Sequence, residues 1–486
     1  MLFNSFEFIF LFLPVTFFGY LLLNRFRLTT ASRTWLAGCS LFFYSWWNIA
    51  NLPIILCSIV FNYSVGYFLC RGVHKSRALL VLGVTCNLVG LAYYKYFNFF
   101  VANLNAIFPV HLSLLKIVLP LGISFFTFTQ IAYLVDAYQG KAKENDFINY
   151  VLFVTFFPHL IAGPILHHRE MMPQFASLRT KILNWNWVAQ GIVLFSIGLF
   201  KKVVIADTLA TWANPGFAAA SLSLAGAWVT ALGYTLQLYF DFSGYTDMAL
   251  GIALLFGIRL PENFDSPYKA TSLIDFWRRW HMTLSRFLRD YLYIPLGGNR
   301  KGKFRRYLNL FITMLLGGLW HGAGWTFIFW GLLHGLGLVA NHLWRSLGLR
   351  LPKLAGWVVT FVYVVIAWVF FRAENFSQAL VVLKGMVNLQ QLGFYPGQVM
   401  PFLQDLFTIT SPADLWQLSS FRTPVMLWGK LVGLALALAV VFLNLNSRQW
   451  KENLVPNKKW ALAVTVMFLA GMLGLNRISQ FLYFQF

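Results

Sequence analysis

The sequence predicts an all-α, polytopic membrane helical bundle of about twelve spans, and three observations carry that prediction. First, 58% of its 486 residues are hydrophobic and only 11% charged, where a soluble chain carries roughly 25% charged residues. Second, apolar runs of about 20 residues, the length that crosses a bilayer as a helix, recur from one end to the other. Third, the net charge of +22 is concentrated in short loops between those runs, as cytoplasmic loops require. That placement ties the charge to the lipid bilayer. It excludes nucleic acid as a partner, because no basic domain stands alone.

Spans are expected near 6–23, 34–47, 52–70, 78–97, 117–138, 187–211, 225–256, 308–320, 325–343, 354–371, 427–445 and 460–476. They form one domain over 1–486. The first run follows Met1-Leu2-Phe3-Asn4-Ser5-Phe6-Glu7. That start lacks the basic stretch and cleavage site of a signal peptide, so the run is expected to stay as a helix. Cys39, Cys57, Cys70 and Cys86 all fall in apolar segments. Their spacing matches no zinc or redox motif, and they read as small packing residues.

Loop charges set the orientation. Arg25, Arg27 and Arg33 follow the first span, and Arg71, Lys75 and Arg77 the third. Lys141 and Lys143 follow the fifth, Arg345, Arg350 and Lys353 the ninth, and Arg448, Lys451, Lys458 and Lys459 the eleventh. All lie on one side if twelve spans begin and end outside. The long loop 372–426 then lies outside, with three basic residues (Arg372, Lys384, Arg422) balanced by Glu374, Asp405 and Asp414. Lys201 and Lys202 break the pattern inside the sixth span, and predict an interruption there.

Two segments are neither span nor ordinary loop. Residues 147–165 are apolar, but Pro158, Gly163 and Pro164 break a helix. Broken backbone at membrane depth survives only inside protein or beside water, so a re-entrant element on the cytoplasmic side is expected. Residues 259–306 hold eleven basic residues against four acids, a net of +7. Within them Trp277, Trp280, His281, Leu284, Leu288 and Tyr291 follow helical spacing on one face. Arg279, Arg286 and Arg289 occupy the other, the pattern of an amphipathic helix on the cytoplasmic face.

The most informative stretch is Gly317-Gly318-Leu319-Trp320-His321-Gly322-Ala323-Gly324-Trp325. A titratable group inside an apolar run marks a functional site by default. The glycines permit a bend and close approach, and the tryptophans offer walls for a narrow dry cavity. They also split 308–343 into two helices. His281 and Ser285 are four apart and stack on one helix face. Alone, His281 reads first as a satisfied structural group, and His321 reads equally as either. Together they predict a chamber open to the cytoplasm, where imidazole suits general-base work near neutral pH. The cationic rim suits a phosphate-bearing donor and, equally, anionic lipid headgroups. In the seventh run Asp241 and Asp247 are six apart and share no clean helix face, so a buried polar network is expected there. No metal-ligand spacing and no phosphate-binding glycine motif appears.

These residues carry a resemblance. Phe276-Trp277-Arg278-Arg279-Trp280-His281-Met282-Thr283-Leu284-Ser285, Arg289 to Gly298 and Gly318-Leu319-Trp320-His321-Gly322 resemble the membrane-bound O-acyltransferase family. So do Gln237 to Met248, Pro261 to Tyr268 with Asn263, the opening Leu2-Phe3-Asn4-Ser5 and the closing Phe481-Leu482-Tyr483-Phe484. The resemblance runs nearly end to end, and is strongest to the bacterial branch that acetylates exported polysaccharides such as alginate, peptidoglycan or cellulose. It implies a multi-pass enzyme of the bacterial inner (cytoplasmic) membrane, built around a tunnel. Acetyl-CoA, or another acetyl donor, is implied to reach the site from the cytoplasm, with no bound cofactor and no metal. His321 is implied as the catalytic residue. The position of His281 is Asn, Asp or His in different branches. Ser285, Trp320, Trp277, Asp275 and Asn263 are the candidate supporting residues. A periplasmic acetyltransferase that completes transfer to the polysaccharide is the implied partner, with loop 372–426 as its docking surface. Direct attack and an acyl-histidine relay both fit the residues. D-alanyl or other acyl transfer to an envelope polymer, a lipid-linked sugar transporter and a non-catalytic assembly subunit are the rival readings.

Overall fold

The computed structural model describes residues 1–486 except 72–75, 143–145, 391–421, 445, 456, 477–481 and 483–486, and omits the side chains of 422–428. Every regular element among the described residues is helical, as a backbone that must satisfy its own polar groups in lipid requires.

The chain opens with α1 (Glu7–Arg25), α2 (Thr29–Ser45), α3 (Asn51–Cys70) and α4 (Arg77–Ile107). The last of these runs ten residues past its predicted end. Nothing stops it there, because no proline or glycine interrupts 91–107; it ends one residue short of the Phe108-Pro109 pair, where proline disfavours a preceding helix. It passes through a π-helical turn at Ala92–Tyr96. Next, α5 (Ile123–Tyr138) begins later than predicted. Pro120 and left-handed Gly122 (φ 66°) hold the preceding residues out of the helix. A Cβ on Gly122 would sit 2.9 Å from the Leu160 carbonyl.

The apolar stretch at 147–165 becomes α6 (Phe147–Thr155) and the single turn α7 (Phe157–Leu160), followed by α8 (His168–Ala176). The breaks fall beside Pro158 and at Gly163. Residues 149–168 are all buried, so this broken backbone is enclosed by protein.

The interruption predicted at Lys201 and Lys202 does not occur. Instead α9 (Trp185–Phe217) is one long helix that passes through a π-helical turn at Phe200–Ala206. It packs on α10 (Leu224–Leu255), which is buried along nearly its whole length. Two glycine pairs set the approach: a Cβ on Gly191 would meet the Gly251 carbonyl at 2.7 Å, and one on Gly198 the Gly244 carbonyl at 2.5 Å. Small residues at such crossings let helix backbones touch. The lysines are tolerated because α10 supplies two counterions and α9 itself a third. Lys201 Nζ lies 2.7 Å from Asp247, and Lys202 Nζ lies 2.6 Å from Asp241 and 2.7 Å from Asp207. Asp241 and Asp247 thus belong to a buried polar network, as expected, and Asp207 joins them.

The single amphipathic helix expected across Trp277–Tyr291 is instead two short ones, α11 (Leu273–Arg279) and α12 (Met282–Leu288). His281 breaks them apart by adopting the left-handed region, φ 43°. Beyond a π-helical turn at Arg289–Tyr293 come α13 (Gly302–His321) and α14 (Trp325–Ser346). They form a tight hairpin: a Cβ on Gly318 would lie 2.4 Å from the Phe327 carbonyl, and one on Gly331 2.5 Å from the Met314 carbonyl.

Then follow α15 (Lys353–Arg372) and α16 (Phe376–Gly385). The latter corrects the reading of 372–426 as one open loop. Ala379, Val382 and Gly385 are buried, and a Cβ on Gly385 would press on Ala227 of α10 at 2.7 Å. Residues 391–421 of the expected docking loop lie outside the described residues. The chain ends with α17 (Arg422–Leu443), α18 (Ser447–Glu452) and α19 (Lys458–Leu473); of the closing motif, only Leu482 is described.

Among the described residues six helices are long and apolar enough to cross a membrane: α1, α3, α4, α9, α14 and α15. Each of the other six predicted spans also coincides with a helix. The protein is therefore a multi-pass helical membrane protein.

Candidate active site

His321 is the last residue of α13, and Gly322 ends the helix by turning to extended backbone, φ −162°. A side chain at 322 would collide with the Phe327 ring at 2.3 Å, so glycine lets α14 fold back over the histidine. The imidazole is buried, 4% exposed, and walled by aromatic rings. Its centroid lies 4.9 Å from Trp320, 5.1 Å from Trp330 and 5.1 Å from Phe371. Among the described residues its Nδ1 has no hydrogen-bond partner. No donor among the described residues occupies that nitrogen, and an imidazole nitrogen with a free lone pair can accept a proton.

His281 is fully buried between α11 and α12. Its left-handed backbone is disfavoured for most side chains and is held by Asn263. The Met282 amide donates to the Asn263 carbonyl at 3.0 Å. Asn263 Oδ1 accepts from Thr283 Oγ1 at 2.9 Å and from the Thr283 amide at 3.3 Å. His281 Nδ1 lies 3.1 Å from the same oxygen. A carbonyl oxygen can only accept, so Nδ1 carries the proton and Nε2 is the basic nitrogen. Burial pushes the His281 pKa down to about 3, so the ring is neutral. Thr283 Oγ1 in turn accepts from the Ile165 amide at 3.1 Å, fastening the turn to the broken segment after α7.

Trp320 touches both histidines, with its ring 6.5 Å from His281 and 4.9 Å from His321. Trp277 is buried on the far side of Trp330, at 5.8 Å. Its Nε1 donates to His334 Nδ1 at 3.2 Å. His281, Asn263, Trp320, Trp277 and His321 therefore belong to one aromatic cluster.

Two expected residues stand apart. Asp275 accepts from Arg279 Nε at 2.9 Å and is half-exposed at the start of α11, a local ion pair. Ser285 Oγ makes one long contact to the Trp280 carbonyl at 3.4 Å. Because the helix breaks at His281, the two side chains do not stack one turn apart; the link is the Ser285 amide donating to the His281 carbonyl at 3.0 Å.

Four residues join the cluster that sequence reasoning did not single out. Trp330 and fully buried His334 lie on α14. Lys95 and Tyr96 reach from α4 to the end of α13. Lys95 Nζ donates to the Trp320 carbonyl at 2.5 Å, and Tyr96 OH to the Leu319 carbonyl at 2.8 Å. A lone lysine in an aromatic run was the signal available for this pair.

A row of rings links this cluster to a polar cavity of about 550 Å³ lined by Asp136, Lys141, His167, Arg169, Arg289 and Tyr291. Tyr291 lies 5.0 Å from Phe287, Phe287 4.2 Å from Phe128, and Phe128 5.0 Å from Trp320. Tyr291 OH and His167 Nδ1 are hydrogen-bonded at 3.1 Å. Burial pushes the His167 pKa down to about 4, aided by the Arg286 charge. Arg286 itself forms a two-pronged pair with Glu170 at 2.6 and 2.9 Å.

The profile of the membrane-bound O-acyltransferase family matches residues 137–376, which contain both histidines. A peptidoglycan O-acetyltransferase of Helicobacter pylori is 50% identical over 426 residues, covering 80% of each chain. A probable alginate O-acetylase AlgI of Pseudomonas putida is 40% identical over the full length of both.

The chain belongs to the membrane-bound O-acyltransferase family.

It is an O-acyltransferase, which sets aside the transporter and assembly-subunit readings. A more distant member, a teichoic acid D-alanyltransferase of Bacillus subtilis, is 30% identical over 53% of this acyltransferase and 69% of its own chain.

Proposed function

We propose that this acyltransferase takes an acetyl group from a cytoplasmic thioester, acetyl-CoA or a related donor, and passes it across the inner membrane for O-acetylation of an exported polysaccharide. The observation that carries the reading is the buried His321 imidazole, walled by aromatic rings and with Nδ1 unpartnered among the described residues. The chemistry follows from that. His321 takes the proton of an acceptor hydroxyl as its oxygen attacks the thioester carbonyl. The C–O bond forms and the C–S bond breaks. The proton returns from the imidazolium to the departing thiolate, giving an ester and a free thiol. An acyl-histidine relay balances equally, with the imidazole nitrogen as first nucleophile. His281, held neutral by burial and oriented by Asn263, serves as a second polar group across Trp320.

Lys141 and Arg169 in the polar cavity supply cations for the phosphates of the donor, while Arg289 there is paired with Asp290 at 2.7 Å, and the ring row from Tyr291 to Trp320 is the path of the acyl arm in this reading. Acceptance of acetate rather than a larger acyl group rests on the peptidoglycan and alginate acetylating relatives. The acceptor is a cell-envelope or secreted polymer, as in the relatives' names, with a periplasmic acetyltransferase completing the transfer.

Release of free thiol from acetyl-CoA by membranes carrying the protein tests the donor. Wild type should release thiol in the presence of acceptor, and His321→Ala at equal membrane level should fall by at least about a hundredfold, the scale of general acid–base catalysis. Equal release by both would remove His321 from the chemistry.

A further inference from the structure

The end of α13 is capped in an unusual way. The last four carbonyls of a helix have no partner within it, and a glycine after the helix commonly supplies backbone capping in a left-handed conformation. Gly322 does not, because it is extended. Two consecutive residues of α4 take over. Tyr96 OH donates to the Leu319 carbonyl at 2.8 Å. Lys95 Nζ donates to the Trp320 carbonyl at 2.5 Å and to the His321 carbonyl at 3.3 Å. Its third donor goes to Ser124 Oγ on α5 at 3.2 Å. The ammonium is thereby saturated by three neutral oxygens, and no carboxylate lies within ion-pair distance of it among the described residues. What balances the charge is the negative end of the helix dipole.

Sequence neighbours on a regular α-helix point about 100° apart. Both nevertheless reach one helix end here, from within the π-helical turn Ala92–Tyr96, an irregularity found often at functional sites. The capped residues are the histidine and the tryptophan that walls it. Lys95 also lies 5.8 Å from the Trp320 ring.

We propose that Lys95, with Tyr96, is the positioning element of His321. It fixes the backbone from which the imidazole projects, and so sets the angle at which the ring meets the acceptor hydroxyl. This rests on the reading of His321 as the general base. Lys95 is not itself placed against substrate. Its effect should appear in turnover and not in donor binding, because the donor cavity lies on other elements.

The test is steady-state kinetics of acetyl transfer by purified, detergent-solubilised protein for wild type, Lys95→Met, Lys95→Arg, Tyr96→Phe and His321→Ala, with size-exclusion profiles of each. Misplacement of a reacting group by about 1 Å costs on the order of a hundredfold. Lys95→Met should therefore lower kcat by about 10- to 100-fold with donor KM within about twofold of wild type. Lys95→Arg, which keeps the charge and donors, should recover a large part of that loss. Wild-type kcat in Lys95→Met would overturn the proposal, as would an equal loss in Lys95→Met and Lys95→Arg. If Lys95→Met does not yield a monodisperse protein, Tyr96→Phe decides: it removes one hydroxyl, and a severalfold fall in kcat at unchanged KM supports the proposal while wild-type kcat overturns it. Full activity in His321→Ala would sink the underlying reading instead.

Discussion

At the scale of single residues, His281 shows how backbone and chemistry constrain one position together. Its φ of 43° lies where Asn, Asp and His are enriched over other non-glycine residues. These are the three residue types that the family resemblance implies at this position. The shared requirement is therefore conformational as much as chemical. His281→Asn should keep the turn, whereas His281→Val puts a β-branched side chain in a left-handed conformation that costs about 1–2 kcal/mol. Thermal unfolding of the two purified variants should rank Asn above Val; equal stability would remove the backbone argument. The pairing of His281 with Asn263 was only half legible. Both residues fall in recognisable motifs, but the hydrogen bond joins positions 18 residues apart across a turn that helical spacing alone reads as continuous helix. Lys95 was hidden for a different reason. It sits two residues from the predicted end of its span, where a lysine ordinarily reaches to the interface, and only the extension of α4 to Ile107 places it inside.

At the scale of elements, charge inside a span was legible as an anomaly but not as a solution. Lys201 and Lys202 predict a break when α9 is read alone. Asp241 and Asp247 on α10 are brought within reach by the Gly191–Gly251 and Gly198–Gly244 contacts, and Asp207 comes from α9 itself. Lys202 shares its ammonium between Asp207 and Asp241, all three nearly inaccessible. Removing one partner of such a buried group leaves uncompensated charge. Lys202→Met should destabilise the fold by about 3–5 kcal/mol. The double variant Lys202→Met with Asp241→Leu should recover part of that loss, because it also deletes one stranded carboxylate. Melting temperatures in detergent would show it, and a single variant as stable as wild type would mean that the network carries no such load. The α13–α14 hairpin was readable directly, since its glycine-rich sequence has one physical use in a membrane bundle, close helix approach. The split between α11 and α12 was not, because the apolar face keeps helical spacing straight through the residue that breaks it.

At the scale of the whole molecule, composition and run length identify a multi-pass helical protein, and every predicted span meets a helix. Boundaries shifted where proline or glycine (Pro120, Gly122) or an uninterrupted apolar run (91–107) overrode the expected length. The site could be assembled only in three dimensions. It draws on α4, the turn between α11 and α12, the end of α13, α14 and α15, which span Lys95 to Phe371 in sequence. It joins a polar cavity at one end, a row of rings and an enclosed imidazole.

The central claim is that His321 carries acetyl transfer to an exported polymer. The most direct measurement is polymer-linked acetate in a deletion strain complemented with wild type or His321→Ala, with membrane levels of both proteins matched. The account predicts that wild type restores O-acetyl groups and His321→Ala does not. Equal restoration by both would contradict it.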